Sequence, residues 1–344
     1  MCVWSAYAGR KQAAPVVYEG LRKIEGYWAG FYTGIVSCDN GTFYFDKCCG
    51  STDVFAEKFD LADFPGTMAL AHSRTASGGL DNRAHPFVGT AGVVALVSQG
   101  APGVFQPLRH QYTDVLMELY NEGRRPRSSS KPECGMRELP GLTTPDGLQI
   151  SAADVETNSI EREYLKHGDI VKALRDGCAR LPGEHCSICL FADKPGTIGF
   201  INMNQRICYA FEEDGVYMAT SMDALPKGTG MEIPGNSVGY VTSDGLFHRE
   251  ALGDIQINSF IPGGLEEAAL AFLKENPKSL LAHICDKALR PLFKTGELDY
   301  HSLAAYRTIE NLRRAGLVQF EESERPNTFT GKSGRGFLWS LKEK

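Results

Sequence analysis

Three familiar signals are absent from this chain of 344 residues. No run of about 18 apolar residues occurs, so we expect no membrane-spanning helix. The N-terminus has no basic stretch followed by an apolar segment, so we expect no secretory signal and a cytoplasmic protein. Neither G-x-G-x-x-G nor G-x-x-x-x-G-K-[ST] is present, which argues against the common nucleotide-phosphate loops. We therefore expect no cofactor.

Cysteine is plentiful, with 10 residues. In a chain of this length without a secretory signal, free thiols are favoured over a disulfide framework. Cys186 and Cys189 have C-x-x-C spacing inside a run typical of a buried strand. Successive strand residues face opposite ways, so these two thiols are predicted on opposite faces. This argues against a zinc site, and no metal is expected.

Residues 1–261 are predicted to form one α+β domain. Short apolar runs bounded by turn residues indicate strands. Helical periodicity is found in residues 14–24 and 157–174. A layered arrangement of sheets and helices accommodates both kinds of element. The polar, basic stretch at about 122–147 is rich in Pro and Ser at its start and predicts a surface loop or insertion.

Residues 262–344 have a different texture and charge. They hold 13 Lys/Arg and 11 Asp/Glu, which leaves 23 and 31 for residues 1–261. Three helical patterns (265–274, 279–293 and 300–315) precede two strand-like runs. This order resembles a winged helix-turn-helix, whose third helix would read DNA. The residues predicted to contact a partner are Arg307, Asn311 and Arg314 on that helix and Lys332 and Arg335 on the wing. A net charge of +2 leaves two partners open: duplex DNA, or a protein surface on the body or on a second subunit.

Cys2 stands where removal of Met1 would make it the N-terminal residue. A thiol with a pKa of about 8.5 is mostly protonated at neutral pH and needs a base to become a nucleophile. A free α-amine, with a pKa of about 7.7–8.0, would supply that base from the same residue. Cys2 is therefore a candidate nucleophile.

Four downstream segments extend this pattern: Glu19–Glu25, Ala71–Gly78, Ala84–Phe87 and Val94–Gly100. With Cys2, their order and spacing resemble the glutaminase domain of class II glutamine amidotransferases, of the glucosamine-6-phosphate synthase type. The resemblance covers roughly residues 2–250 and implies an αββα four-layer N-terminal-nucleophile hydrolase sandwich. The 83 residues after Ile261 are too few for that type's sugar-isomerase domains. We therefore do not expect the chain to make glucosamine 6-phosphate by itself.

The resemblance also implies roles for individual residues. Cys2 would attack a side-chain amide, form a thioester and release ammonia. Arg74 would hold the substrate carboxylate, as a bidentate guanidinium suits. Gln99 and Gly100 would form the oxyanion hole, with Gln99 where the family has Asn. The other implied substrate-binding positions are Thr75, Ser77, Glu156 and Asn158, of which Asn158 stands where the family has Asp.

Three functions remain open at the level of sequence. The first is a glutaminase-type amidohydrolase that passes ammonia to a partner protein. The second is a diverged sensor of a small amide, with the C-terminal module as its output. The third is a hydrolase of the same fold acting on another amide. Cys2 and Arg74 favour an enzyme, whereas Gln99 and Asn158 favour a pocket that differs from the standard glutamine site.

Overall fold

The computed structural model describes residues 2–76, 84–102, 109–126, 142–181, 183–253, 261–293, 301–326, 331 and 333–343. Within these ranges, no helix is both long and apolar enough to cross a bilayer. The first half of the N-terminal part contains β1 Val3–Gly9, α1 Ala13–Trp28, β2 Tyr32–Asp39, β3 Thr42–Cys49, α2 Thr52–Lys58, β4 Met68–Arg74, β5 Phe87–Val88, β6 Val94–Pro102 and α3 Arg109–Asn121. The second half contains β7 Leu142–Thr143, β8 Gln149–Ile150, α4 Ala152–His167, α5 Ile170–Cys178, β9 Gly183–Phe191, β10 Thr197–Asn202, β11 Ile207–Glu212, β12 Gly215–Ala219, β13 Met231–Ile233, β14 Ser237–Thr242 and β15 Phe247–Ala251.

Two antiparallel sheets form the centre of this part. The described residues build a seven-stranded sheet in the order β13-β11-β12-β1-β4-β2-β3 and a six-stranded sheet in the order β15-β14-β10-β9-β6-β5. One apolar cluster, which includes Trp4, Val36, Val97 and Ile188, fills the space between the two sheets. Other clusters pack α1 on the outside of the first sheet and α4 with α5 on the outside of the second. The order of layers is therefore helix, sheet, sheet, helix.

The helix predicted over 157–174 is two helices, α4 and α5. Gly168 ends α4 with φ at 65°, the left-handed conformation typical of helix C-termini. Asp169 then caps α5 by accepting a hydrogen bond from the Lys172 backbone N–H. The prediction of one helix over 157–174 is therefore wrong, because Gly168 ends one helix and Asp169 begins the next within that range. Of the loop predicted at about 122–147, residues 127–141 lie outside the described part of the chain.

The C-terminal module comprises α6 Leu265–Glu275, β16 Ser279–Leu280, α7 Leu281–Ile284, α8 His301–Arg314, β17 Val318–Pro326 and β18 Ser333–Leu341. A π turn (Cys285–Leu289) and a 3₁₀ turn (Arg290–Leu292) continue α7. The three strands form a sheet in the order β16-β18-β17. The start of the helix predicted over 279–293 is therefore a strand.

This module packs on the N-terminal domain through α1 and α8. Residues of α1, α6, α8 and β18 belong to one apolar cluster. Gly26 of α1 permits the approach, since a Cβ there would lie 2.3 Å from the Phe337 ring. Leu303, Tyr306, Ile309 and Leu312, the predicted stripe of α8, are all buried. Packing of the module on the body, one of the two open alternatives, is what the structure shows.

Candidate active site

A row of four side chains crosses the first sheet at the start of β1. Val3 pairs with Ser73, so Cys2 lies beside Arg74 on the antiparallel neighbour. Arg74 pairs with Tyr32, and Tyr32 pairs with Cys49. Directly opposed residues of antiparallel strands project to the same face. Trp4, two residues after Cys2, lies in the core between the sheets, so the whole row faces the second sheet.

Arg74 is held over an aromatic ring in this row. Its guanidinium carbon lies 5.3 Å from the centre of the Tyr32 ring, within the range of a cation–π contact. Burial lowers the pKa of Arg74, and nearby Cys2, Tyr32 and Cys49, which become anionic when deprotonated, act to raise it. A carboxylate or a thiolate beside Arg74 is therefore electrostatically favoured.

The second sheet contributes Gln99 from the facing side. Val97 and Gln99 alternate with the outward Leu96 and Ser98, so the Gln99 side chain enters the space between the sheets. Its Oε1 accepts a hydrogen bond from the Thr220 hydroxyl at 2.7 Å, and its Nε2 lies 3.4 Å from Gln205 Oε1. The amide is thus oriented from two sides and fully buried.

Gly100 follows with φ at 117°. This conformation is open to glycine and strained for residues that carry a Cβ. The backbone therefore requires glycine at the residue after Gln99. The Gln-Gly order is consistent with the oxyanion pair that the sequence predicts.

Two stacked histidines join the strands behind the site. His72 Nε2 lies 3.0 Å from the Ser98 carbonyl oxygen, and His85 Nδ1 accepts the Ser98 N–H at 3.1 Å. Their ring centres are 4.1 Å apart. Burial lowers the pKa of His72 to about 3 and that of His85 well below its usual value, so both rings are neutral. They fix the backbone before Gln99 against the strand that ends in Arg74.

Glu156 and Asn158 are not brought together with Cys2. Glu156 Oε1 accepts hydrogen bonds from Ser187 Oγ at 2.6 Å and Cys178 Sγ at 3.4 Å, under α4 on the outer face of the second sheet. Asn158 Oδ1 accepts from the N–H and hydroxyl of Thr90. The substrate role expected for both residues is therefore corrected to one in packing α4. Thr75 directly follows Arg74 and is partly buried, and Ser77 lies outside the described residues.

The residues predicted to contact DNA or a partner are engaged within the chain. Arg307 pairs with Glu232 at 2.6 Å, Arg314 donates to the Gly228 carbonyl at 2.7 Å, and Asn311 donates to Glu266 at 3.1 Å. The apolar stripe of α8 faces the protein, whereas Arg307 is partly exposed and Asn311 and Arg314 are exposed, so a contact of these residues with DNA stays a prediction. On the hairpin, Arg335 pairs with Glu322 at 2.5 Å and with Glu25 at 3.5 Å. Lys332 lies outside the described residues.

The C-x-x-C cysteines do not converge on a metal. Cys186 lies in the core between the sheets, whereas Cys189 lies in the core under α4 and α5, as the strand alternation predicts. Glu163, His167 and Asp176 bring ligand atoms within 4.8 Å of one another on α4 and α5. Glu163 is already paired with Lys166 at 2.9 Å.

Sequence reasoning missed three residues of the site. Thr220 contacts Gln99, and Tyr32 lies beside Arg74, but both neighbours are distant in the sequence and meet only when the strands pair. For Tyr32, the alternation of β2 is a signal that its side chain faces inward. Tyr306, whose hydroxyl donates to the Cys2 carbonyl at 3.1 Å, is 304 residues away in the chain. No local signal in the sequence connects it to Cys2.

Comparison with known proteins finds sequence relatives that share one enzyme name. No family model matches the chain. It is 24% identical over 296 residues to the glutamine–fructose-6-phosphate aminotransferase of Pyrococcus horikoshii, which covers 81% of this chain and 44% of that protein. It is 27% identical over 232 residues to the enzyme of the same name from Caldanaerobacter subterraneus subsp. tengcongensis, covering 67% and 33%. The chain thus spans less than half the length of these relatives.

Solved structures agree at the level of fold. Glutamine phosphoribosylpyrophosphate amidotransferase from B. subtilis matches with a TM-score of 0.57 at 14% identity, over 93% of this chain and 66% of that one. The structure described as the allosteric regulatory enzyme of purine biosynthesis matches with a TM-score of 0.56 at 15% identity, over 77% and 52%. The chain is thus similar in sequence to glutamine–fructose-6-phosphate aminotransferases, and it shares the fold of these two solved structures.

Proposed function

We propose that this chain is an amidohydrolase of the class II glutamine amidotransferase type, with Cys2 as its nucleophile after removal of Met1. The observation that carries the proposal is the row in which Cys2 lies beside Arg74, facing Gln99 across the space between the sheets. A thiol, a carboxylate-binding cation and an amide donor are the groups that hydrolysis of a glutamine-like side chain needs.

The chemistry follows from these positions. The α-amine of Cys2 takes the thiol proton while Sγ attacks the amide carbon, and the carbonyl electrons move to oxygen. The Gln99 amide and the Gly100 N–H stabilise this oxyanion. Its collapse breaks the C–N bond, and the nitrogen takes the proton from the amine and leaves as ammonia. Water then hydrolyses the thioester, which yields a carboxylate and restores the thiol.

Arg74 selects the substrate in this scheme. Its guanidinium binds the α-carboxylate of glutamine or a close analogue, while Tyr32 holds the guanidinium from the far side. Thr75 directly follows the end of β4 at Arg74 and is proposed to line the pocket. The ammonia would pass to a partner protein or a further domain.

We also propose that the C-terminal module is a winged helix whose role is to pack on the N-terminal domain. Its order of helix, strand, two helices and two strands, with a sheet order of β16-β18-β17, supports this interpretation. Because α8 packs on the N-terminal domain, the module's partner in this arrangement is the body of the chain.

Mass spectrometry of the purified protein tests the nucleophile. We expect loss of Met1 and a single adduct on Cys2 after treatment with 6-diazo-5-oxo-norleucine, a glutamine-analogue electrophile. Retention of Met1 in the functional protein would contradict the mechanism outright. Loss of Met1 without labelling of Cys2 would favour a sensor of a small amide over an enzyme.

A further inference from the structure

The backbone of Cys2 lies beyond the end of its neighbouring strand. Ser5 of β1 pairs with Ala219, the last residue of β12. Beyond the end of β12, Thr220 provides the hydrogen-bond partners of Trp4. Its Oγ1 accepts the Trp4 N–H at 3.0 Å, and its N–H donates to the Trp4 carbonyl at 3.1 Å. The next carbonyl along this edge of the chain, that of Cys2, accepts from Tyr306 of α8 at 3.1 Å. The C-terminal module thus supplies a hydrogen bond that a buried carbonyl requires.

Tyr306 is well suited to hold one position. Its side chain is fully buried, and its ring packs on Tyr27 and Trp28 of α1 at 6.0 and 5.7 Å between centres. Burial raises the pKa of Tyr306 well above its usual value, so the hydroxyl stays protonated and remains a donor. A rigid ring with a fixed donor restrains the carbonyl of Cys2 on one side.

Helix α8 is also connected to Gln99, on the other side of the site. Glu310, one turn after Tyr306, forms a buried ion pair with Arg206 at 2.8 Å. Arg206 directly follows Gln205, whose Oε1 lies 3.4 Å from the Gln99 amide nitrogen. Helix α8 therefore contacts the nucleophile directly and the oxyanion glutamine through two residues.

We propose that Tyr306 is a positioning residue, which fixes the carbonyl of Cys2 and thereby its thiol and α-amine, so that the C-terminal module completes the amidohydrolase site. This inference rests on the proposed function. It assigns to the module a role in catalysis that needs no DNA and no second protein.

The test compares Tyr306→Phe with Tyr112→Phe in the full chain. Tyr112 is a matched control, since it is also fully buried and its hydroxyl donates to a backbone carbonyl, that of Leu181, at 3.0 Å. Ammonia release from L-glutamine gives kcat and KM, and mass spectrometry gives the rate at which 6-diazo-5-oxo-norleucine labels Cys2. Thermal unfolding measures the stability of each variant.

We expect Tyr306→Phe to lower kcat and the labelling rate about tenfold, the effect of one neutral hydrogen bond, with KM within about a factor of two. Tyr112→Phe should lower the melting temperature to a similar extent and leave kcat unchanged. Wild-type kcat in Tyr306→Phe, or equal losses of kcat in both variants, would overturn the positioning role while the proposed function stands. A wild-type protein that neither releases ammonia nor is labelled would overturn the proposed function, and this inference with it.

Discussion

In the N-terminal domain, polar side chains from neighbouring strands turn into the space between two sheets, whereas in the C-terminal module the apolar stripe of α8 packs on that domain and its outer polar side chains stay partly or fully exposed. Cys2, Arg74 and Gln99 face a common space. Arg307 and Arg314 pair with Glu232 and with the Gly228 carbonyl, and both side chains remain partly exposed.

The difference reflects what each pattern determines. In a strand, successive side chains face opposite sides of the sheet, and strand pairing sets their neighbours. Alternation therefore specifies the face of the sheet on which a side chain lies. The pattern of an amphipathic helix predicts that its apolar stripe will be buried, but it does not predict which surface will cover the stripe. Four predictions follow from this contrast between the domain that holds the proposed site and the module that packs on it.

The largest effect is expected at the nucleophile. Cys2→Ala removes the thiol and should lower ammonia release from glutamine at least about a thousandfold, with little change in thermal stability. Cys38→Ala is the control, since Cys38 is also a buried cysteine on an inward strand position. Wild-type turnover in Cys2→Ala would place the chemistry elsewhere in the chain.

The next effect concerns the donor on the facing sheet. Gln99→Leu keeps the approximate shape and removes the amide, so kcat should fall about a hundredfold, the cost of losing one oxyanion donor. Thr220→Val leaves the Gln99 amide in place but removes the hydroxyl that orients it at 2.7 Å. Steady-state kinetics should show a smaller loss for this variant, and a wild-type kcat in Gln99→Leu would mean that Gln99 acts only in packing.

A third effect measures how firmly the module is attached. Glu310→Gln breaks a buried ion pair with Arg206 and should lower the free energy of unfolding by about 3 kcal/mol. The exposed pair Lys227–Glu212, at 2.6 Å, is the control, and Glu212→Gln should cost less than about 1 kcal/mol. Urea unfolding of the wild type should be one transition because both modules share a core. Two transitions would mean that the module unfolds independently.

The last effect is expected from pH, with opposite signs in the two regions. At the module interface, burial raises the pKa of Glu25 from 4.5 to about 7, although hydrogen bonds from Thr52 and the charge of Arg335 lower it. The folded state therefore holds a proton that the unfolded state releases, so the contribution of Glu25 to stability is full below about pH 4.5 and is lost as pH rises to about 7.

In the interior of the N-terminal domain, the pKa of His72 is lowered from 6.5 to about 3, so its contribution is lost as pH falls through that window. Free energies of unfolding measured against pH for Glu25→Gln and His72→Gln, each relative to the wild type, should slope in opposite directions. Parallel slopes would contradict this assignment.

Much of the fold was accessible from sequence. The apolar spacing of Val17, Leu21 and Ile24 predicted α1, and all three are buried. The alternation around Cys186 and Cys189 predicted their opposite faces, which the two separate cores confirm. The break between α4 and α5 was missed because the stripe was read across Gly168 and Asp169.

The site was accessible only in part. Cys2, Arg74 and Gln99 are predicted from the position of Cys2 after Met1 and from the order of motifs that resembles the class II glutamine amidotransferases. Glu156 and Asn158 were expected in the pocket because they start a helix that matches a family motif. Their oxygen atoms instead bind Ser187 and Thr90, partners that are known only when α4 has packed on its sheet.

The sequence by itself determined many of the helices and strands and the change of pattern near residue 262, because each depends on the periodicity of nearby residues, and the order of its motifs identified Cys2, Arg74 and Gln99 as candidates. Only the tertiary structure decided that α8 faces the body, and that Tyr306 donates to Cys2 across 304 residues of chain. Such a contact depends on how separate apolar surfaces cover one another, which local periodicity does not specify.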